Sequence, residues 1–186
     1  MMHNDDPLLK IRFDGQAVGP GKIPVAHLLR FLTNLNKALQ RTGRVLTGET
    51  ESARRGPQPS NIKEEVALDL VLLTSGSPAA VLGFERRQSA HSLPTMDFGQ
   101  EIIEKSLSGL SAVQKGGDAL PEGYDAGVLM AWRDIGALFS QGIEKIEFTL
   151  NQRDHHLSAA FTPQGFSRIQ ERIKGPQTNM RTIEGR

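Results

Sequence analysis

The sequence predicts an α+β fold, with an antiparallel or mixed sheet of about five strands and helices packed on one face. Residues 9–13 alternate apolar and polar, which is the period of a half-buried strand. Apolar runs flank short polar turns within residues 66–85 and again within residues 145–162, and this layout predicts two antiparallel hairpins. Elsewhere apolar residues recur every three or four positions, as in amphipathic helices. The predicted order is β-α-β-β-α-α-β-β-α.

The first half of the chain predicts a strand, a helix, a loop and a hairpin. Pro24 suits the first helical position, because its missing N–H needs no partner there, and Gly43 suits the helix end. The apolar stripe of this helix consists of Val25, Leu28, Leu32, Leu35 and Leu39. Residues 48–63 lack apolar periodicity and predict an exposed, mobile loop. The strand that follows is apolar on both faces, so we expect it to be central and covered on both sides.

The second half predicts three helices and the second hairpin. Asp97 is expected to cap one helix, and the next is expected to begin near Asp125 and to close at Gly142. The last helix is expected to begin at Thr162, with Pro163 in its first turn, and to stop at Gly175-Pro176.

Length and composition fit one globular domain, predicted over residues 1–176, with a C-terminal tail at 177–186. The 186 residues include 38% hydrophobic and 23% charged residues, which is typical of folded domains. No apolar run is long enough for a membrane helix and the start is acidic, so we expect a cytoplasmic protein without a membrane partner. The chain has no cysteine, which fits a reducing compartment. We predict no cofactor.

Two apparent nucleotide motifs fail on spacing or context. The glycines before the first helix do not have the spacing of a phosphate loop, and Lys22 is followed by Ile23 instead of the hydroxyl residue that binds magnesium. Residues 97–99 spell the kinase triplet Asp-Phe-Gly, but the other kinase motifs are missing. Neither segment predicts catalysis.

Asp154, His155 and His156 are weak candidates for metal ligands. The triplet resembles the one that names the DHH phosphoesterases, in which Asp and His hold manganese. The buried strand and the upstream aspartate motif of that family are missing here. Adjacent side chains on a strand also point to opposite faces, so both histidines could not reach one ion. We therefore predict no metal site and keep a metal-dependent hydrolase as an alternative.

The first helix predicts a basic face opposite its apolar stripe. Arg30, Lys37 and Arg41 fall within about 20° of one direction at 100° per residue, and Arg44 follows them. These four residues are the candidates for binding a partner. A net charge of only +1 does not indicate a nucleic-acid binder, so a nucleic-acid-associated regulator is the alternative and not the preferred function.

Residues 13–39, together with the runs GIEKIEFTL and NMRTIEGR, resemble a family of uncharacterised bacterial proteins. The resemblance implies that a small β-rich segment follows and that the chain continues past Arg186. The ending Ile-Glu-Gly-Arg is also a protease recognition sequence, and a vector scar is the rival explanation. The resemblance transfers no active-site residue.

No complete catalytic motif is present, and acidic and basic residues are segregated along the chain. Residues 97–125 carry excess acid, and residues 163–186 carry excess base. We therefore expect a non-enzymatic interaction module that binds a protein partner or forms a homo-oligomer.

Overall fold

The computed structural model describes residues 8–54, 60–75, 80–86, 98–117, 119–152 and 155–175. The first part contains strand β1 (Leu8–Asp14), helix α1 (Val25–Leu46), the short helix α2 (Ser60–Glu65) and strands β2 (Leu68–Ser75) and β3 (Ala80–Arg86). Helix α3 (Phe98–Lys115) and helix α4 (Ala126–Gly136) follow, and a 3-10 turn (Ala137–Gln141) continues α4. Strands β4 (Lys145–Gln152) and β5 (His155–Phe161) and helix α5 (Pro163–Lys174) complete the described order. The predicted α+β fold and order are confirmed, with α2 and the 3-10 turn as additions.

The five strands form one antiparallel sheet in the order β2-β3-β1-β4-β5. Leu9, Ile11 and Phe13 of β1 point into the core, and the intervening Lys10 is exposed on the other face. In the described part of the chain the helices cover the first face only, which confirms the predicted layering. This arrangement follows from the period of two, because one residue in every pair must face the apolar layer.

The prediction that the strand after the loop is central is wrong, because β2 lies at the edge of the sheet. Leu70 is 52% exposed and Val71 is 48% exposed. A register shift between Leu70 and Leu72 places a bulge at Val71. The central strand is instead β1, whose polar residues are tolerated because the outer face of the sheet stays open to solvent.

Aromatic rings hold the helices to the inner face of the sheet. Trp132 of α4 meets Phe148 and Phe161 edge-on, with ring centroids 5.7 and 5.8 Å apart. Phe31 of α1 packs edge-on against Phe13 at 4.8 Å. Edge-to-face pairs at such separations add to the free energy already gained by burying the rings. These ring contacts therefore hold both α1 and α4 against the sheet.

Helix α1 differs from its prediction at both ends. Gly43 lies inside the helix, where a Cβ would come within 2.8 Å of Ile102 Cδ1 and 2.9 Å of Ile62 Cγ2. This glycine therefore permits close helix packing and does not end the helix, which continues to Leu46. At the start, Pro24 is the cap residue just before the helix, and Val25 is 71% exposed instead of lying in the core stripe.

The prediction of an exposed loop over residues 48–63 is wrong at two places. Ser52 is 1% exposed, and residues from Ser60 onward form α2, in which Ile62 is 2% exposed. A single isoleucine leaves no periodic signal in the sequence. Ser52 is buried where its backbone N–H and its hydroxyl donate to Asp125. Residues 55–59 lie outside the described part of the chain.

The predicted starts of α4 and α5 are confirmed. Asp125 caps α4 by accepting a hydrogen bond from Val128 N at 2.8 Å, and Thr162 caps α5 by accepting one from Gly165 N at 3.2 Å. Gly142 closes the 3-10 turn in the left-handed conformation. The predicted cap Asp97 and the predicted tail 177–186 lie outside the described residues.

Candidate functional site

The predicted basic face divides into exposed and internally bound residues. Arg30 and Lys37 are exposed on α1, and the Nζ of Lys37 lies 3.5 Å from Asn34 Oδ1. Arg41 is half-buried and its Nη1 donates to the carbonyl of Gly127 at 2.6 Å. Of the four predicted partner-binding residues, Arg30 and Lys37 therefore lie on the surface, and Arg41 is only partly exposed.

Arg44 belongs to the interior, with 8% of its surface exposed. Its Nη2 pairs with Glu49 Oε2 at 2.6 Å, and its Nη1 donates to the Ser52 carbonyl at 3.1 Å. A guanidinium group can donate in several directions at once, which suits it to pinning a chain segment. The structure thus gives Arg44 an intramolecular role that its place in the sequence pattern does not reveal.

The metal hypothesis gains no further ligand. Asp154 and the side chain of His155 lie outside the described part, and His156 is exposed on β5 opposite Asn151. Among the described residues no group of three or more His, Asp or Glu side chains could hold a metal ion. No helix in the described ranges is long and apolar enough to cross a membrane.

On the open face of the sheet, two acidic and two basic side chains pair with one another. Lys145 Nζ lies 2.7 Å from Glu147 Oε1 and 3.7 Å from Asp14 Oδ2, and Arg12 Nε lies 3.2 Å from Asp14 Oδ1 and 3.8 Å from Glu147 Oε2. The hydrogen bond to Glu147 raises the pKa of Lys145 above its usual value. Because two acids face two bases, this cluster carries no net charge of its own.

One edge of the sheet is capped by a side chain. Gln114 of α3 donates from Nε2 to the Ala160 carbonyl at 2.7 Å, and its Oε1 accepts from Thr162 N at 3.3 Å. The amide therefore occupies the Ala160 carbonyl near the end of β5 and the Thr162 N–H just beyond the strand. Gly165 leaves room for this side chain, since a Cβ there would overlap Gln114.

The opposite edge, β2, presents apolar side chains to solvent. Its sequence LDLVLLTS has no lysine, arginine or proline, which are the residues that most often block strand addition. Leu70 and Val71 are each about half exposed there. An edge of this kind is a template for pairing with another strand, although the bulge at Val71 and the charged Asp69 are features that disfavour such pairing.

A groove of about 720 Å³ lies between the C-terminal end of α3, the start of α4 and α5. Its apolar wall is formed by Val113, Leu120, Ala126, Leu129 and Ile173. Arg168 and Arg172 of α5 line the same groove, with Glu171 as the acid among its lining residues. We call this the α5 groove.

Both arginines of the α5 groove are positioned by backbone carbonyls. Arg168 Nη1 donates to the Gln114 carbonyl, and Arg172 Nη1 donates to the Ala119 carbonyl at 3.3 Å. Since each guanidinium group carries five N–H donors, these bonds leave further donors for a ligand. The groove combines an apolar surface with two fixed cations.

Comparison with protein-family models, curated protein sequences and solved structures finds no match to this chain. The resemblance to a bacterial family therefore stays a prediction, and function has to be argued from this structure.

Sequence reasoning missed both the exposed edge and the α5 groove. The signal for the edge was present as a strand that is apolar on both faces, but the same pattern fits a buried central strand. The signal for the groove was the spacing of Arg168 and Arg172 by four residues, which places them on one face of α5. The apolar partners of those arginines come from two other helices and become adjacent only on folding.

Proposed function

We propose that this chain is a non-enzymatic interaction module that self-associates by pairing β2 with β2 of a second copy. The observation that carries the proposal is the half-exposed pair Leu70 and Val71 on an edge strand. Pairing covers these side chains and satisfies backbone groups along the strand. Isolated apolar residues on a surface are common, but here two adjacent ones lie on an edge strand that has no lysine, arginine or proline.

A second copy of the chain is the occupant that the strand's own sequence suits. In an antiparallel pair with its twofold axis at Val71, Asp69 stands opposite Leu73 and no like charges meet within the strand. A twofold contact of this kind uses the same surface on both copies and closes at two. Because this contact closes at two and Gln114 occupies part of the β5 edge, we expect a dimer and no longer assembly.

The expected dimer is of moderate strength. The bulge at Val71 bends the edge and weakens regular pairing, so we expect a dissociation constant in the micromolar range. Sedimentation velocity over a wide concentration range measures it, with the 20.4 kDa chain as the reference mass. The proposal requires a concentration-dependent shift toward twice that mass.

Two matched variants locate the interface. Val71→Lys places a charge on the β2 edge, and we expect it to give a monomer at all concentrations. Val25→Lys is the control, because Val25 is also an exposed valine but lies on α1, far along the chain from β2. We expect Val25→Lys to dimerise like the parent protein. A parent chain that stays monomeric, or a dimer that Val25→Lys disrupts and Val71→Lys does not, overturns the proposal.

A further inference from the structure

We propose that the α5 groove binds a small organic carboxylate with an apolar chain. The inference is independent of the β2 interface, since its residues come from α3, α4, α5 and the segment between α3 and α4. It assigns the groove a ligand from its size, its apolar wall and its charges.

Size and surface together fit a small amphipathic molecule. At about 720 Å³ the groove falls within the range of roughly 300–1,000 Å³ that is usual for small-molecule sites. Leu120, which is 44% exposed, and the partly buried Ile173 present apolar side chains to the groove, and the buried Val113 and Leu129 lie beneath them. Sites of this class combine such a wall with a few fixed polar groups that set orientation. The two arginines are those groups.

The charge of the groove selects an anion. Among the described lining residues, Arg168 and Arg172 against Glu171 leave one positive charge. A guanidinium group matches a carboxylate in plane and can bind both of its oxygens. A single negative charge neutralises this set, whereas a phosphate monoester brings close to two and meets Glu171 with stronger repulsion. A monocarboxylate is therefore the best-matched headgroup.

The C-terminal segment of the chain is the rival occupant, because residue 176 follows Gly175, which lines the groove. The side chains of residues 176–186 include Arg181 and Arg186 against Glu184 and so carry the same sign of charge as the groove. Like charges disfavour docking there. Charge complementarity thus favours an external anion over this segment.

Calorimetric titration of the full chain with decanoate tests the proposal. We expect saturable one-to-one binding, weakened about tenfold for octanoate because each methylene contributes about 0.8 kcal/mol. We expect no comparable binding of 1-decanol or decyltrimethylammonium, and weaker binding of decyl phosphate. Chain length and headgroup then report separately on the apolar wall and the arginines.

Variants connect the binding to the groove. Arg172→Gln and Arg168→Gln each remove one cation, and we expect each to weaken decanoate binding about tenfold through loss of a charge-assisted hydrogen bond. Leu120→Gln alters the apolar wall at a side chain that is 44% exposed, and we expect it to weaken decanoate binding. Arg30→Gln changes an exposed position of α1. It is the matched control and is expected to bind decanoate as the parent chain does.

Any of four results from the titrations and the arginine variants overturns the inference, and a fifth concerns the C-terminal segment. They are absence of decanoate binding at millimolar concentration, equal binding of decanoate and 1-decanol, decyl phosphate binding tighter than decanoate, and arginine variants that bind like Arg30→Gln. Decanoate binding that appears only after Met180→Ser and Ile183→Ser assigns the groove to the C-terminal segment and also overturns it.

Discussion

Ser52 donates twice to Asp125, once from its backbone N–H and once from its hydroxyl, each at 2.6 Å. The same carboxylate accepts from Val128 N at 2.8 Å and caps α4. Gly127 makes this approach feasible, since a Cβ there would come within 2.7 Å of Ala53 N. One aspartate thus joins the segment after α1 to the start of α4.

We expect Asp125→Ala to lower the free energy of unfolding by about 3 kcal/mol. Loss of the cap costs about 1 kcal/mol, and each buried donor of Ser52 left without a partner adds about 1 kcal/mol or more. Urea unfolding followed by the fluorescence of the single tryptophan measures the change. Asp134→Ala is the control, because Asp134 is 39% exposed and pairs with adjacent Arg133, so a loss below about 0.5 kcal/mol is expected. Equal losses in both variants would contradict the role given to Asp125.

Arg44 and Arg30 are expected to respond differently to the same conservative change. Arg44→Lys keeps the charge but cannot reach Glu49 and the Ser52 carbonyl together, so we expect a loss of about 2 kcal/mol in unfolding free energy. Arg30→Lys on the exposed side of α1 is expected to change it by less than about 0.5 kcal/mol. The same urea titration compares them. If Arg44→Lys is as harmless as Arg30→Lys, Arg44 does not hold the segment in place.

Local patterns in the sequence were enough to predict most of the fold. Alternation fixed the faces of β1, and Thr162 with Pro163 fixed the start of α5, because these signals depend on neighbouring residues only. Gly43 was misassigned because a glycine that ends a helix and a glycine that lets Ile102 pack closely look alike in one sequence.

The candidate sites depend on contacts between residues that are distant in the sequence, so they were harder to predict from it. The edge position of β2 is decided by which strands pair, and strand order cannot be deduced from the apolar pattern of one strand. Arg41 and Arg44 continue the periodic basic face in the sequence, but carbonyl groups at Gly127 and Ser52 bind them in the fold. Helical periodicity records direction around one axis and not what packs there.

Gln114 and Gly165 are expected to be energetically coupled. Alanine is a better helix former than glycine by up to about 1 kcal/mol, yet Gly165→Ala displaces Gln114 from Ala160 and Thr162. We therefore expect Gly165→Ala to lower the free energy of unfolding by about 1 kcal/mol in the parent chain. In a Gln114→Ala background the clash is gone, and the same change is expected to raise it.

A double-mutant cycle from urea titrations measures this reversal of sign. Gly117→Ala serves as the control, because a Cβ at Gly117 meets nothing within 4 Å. The effects of Gly165→Ala and Gln114→Ala would simply add if Gly165 were not reserved for the glutamine side chain.

Because Tyr124 is buried, we expect its phenol to make the folded state less stable at alkaline pH. Burial raises the pKa of its phenol, and its hydroxyl donates to the Ser106 carbonyl. Above a pH of about 10 the unfolded chain loses this proton while the folded chain keeps it, so the folded state binds more protons. Its stability is therefore expected to fall by about 1.4 kcal/mol per pH unit from this group. Tyr124→Phe is expected to lack that contribution, although it lowers stability by about 1 kcal/mol at neutral pH.

Because Tyr124 is the single tyrosine, near-ultraviolet absorbance reports its ionisation directly. We expect the phenolate signal to appear together with unfolding, and not before it. Lys105 and Lys145 also have raised pKa values, through hydrogen bonds to Glu122 and Glu147, and their ion pairs weaken in the same alkaline range. Those losses are common to the parent and Tyr124→Phe, so the difference between the two pH profiles isolates Tyr124. A phenolate that forms near pH 10 in a folded chain would show that burial does not protect this hydroxyl.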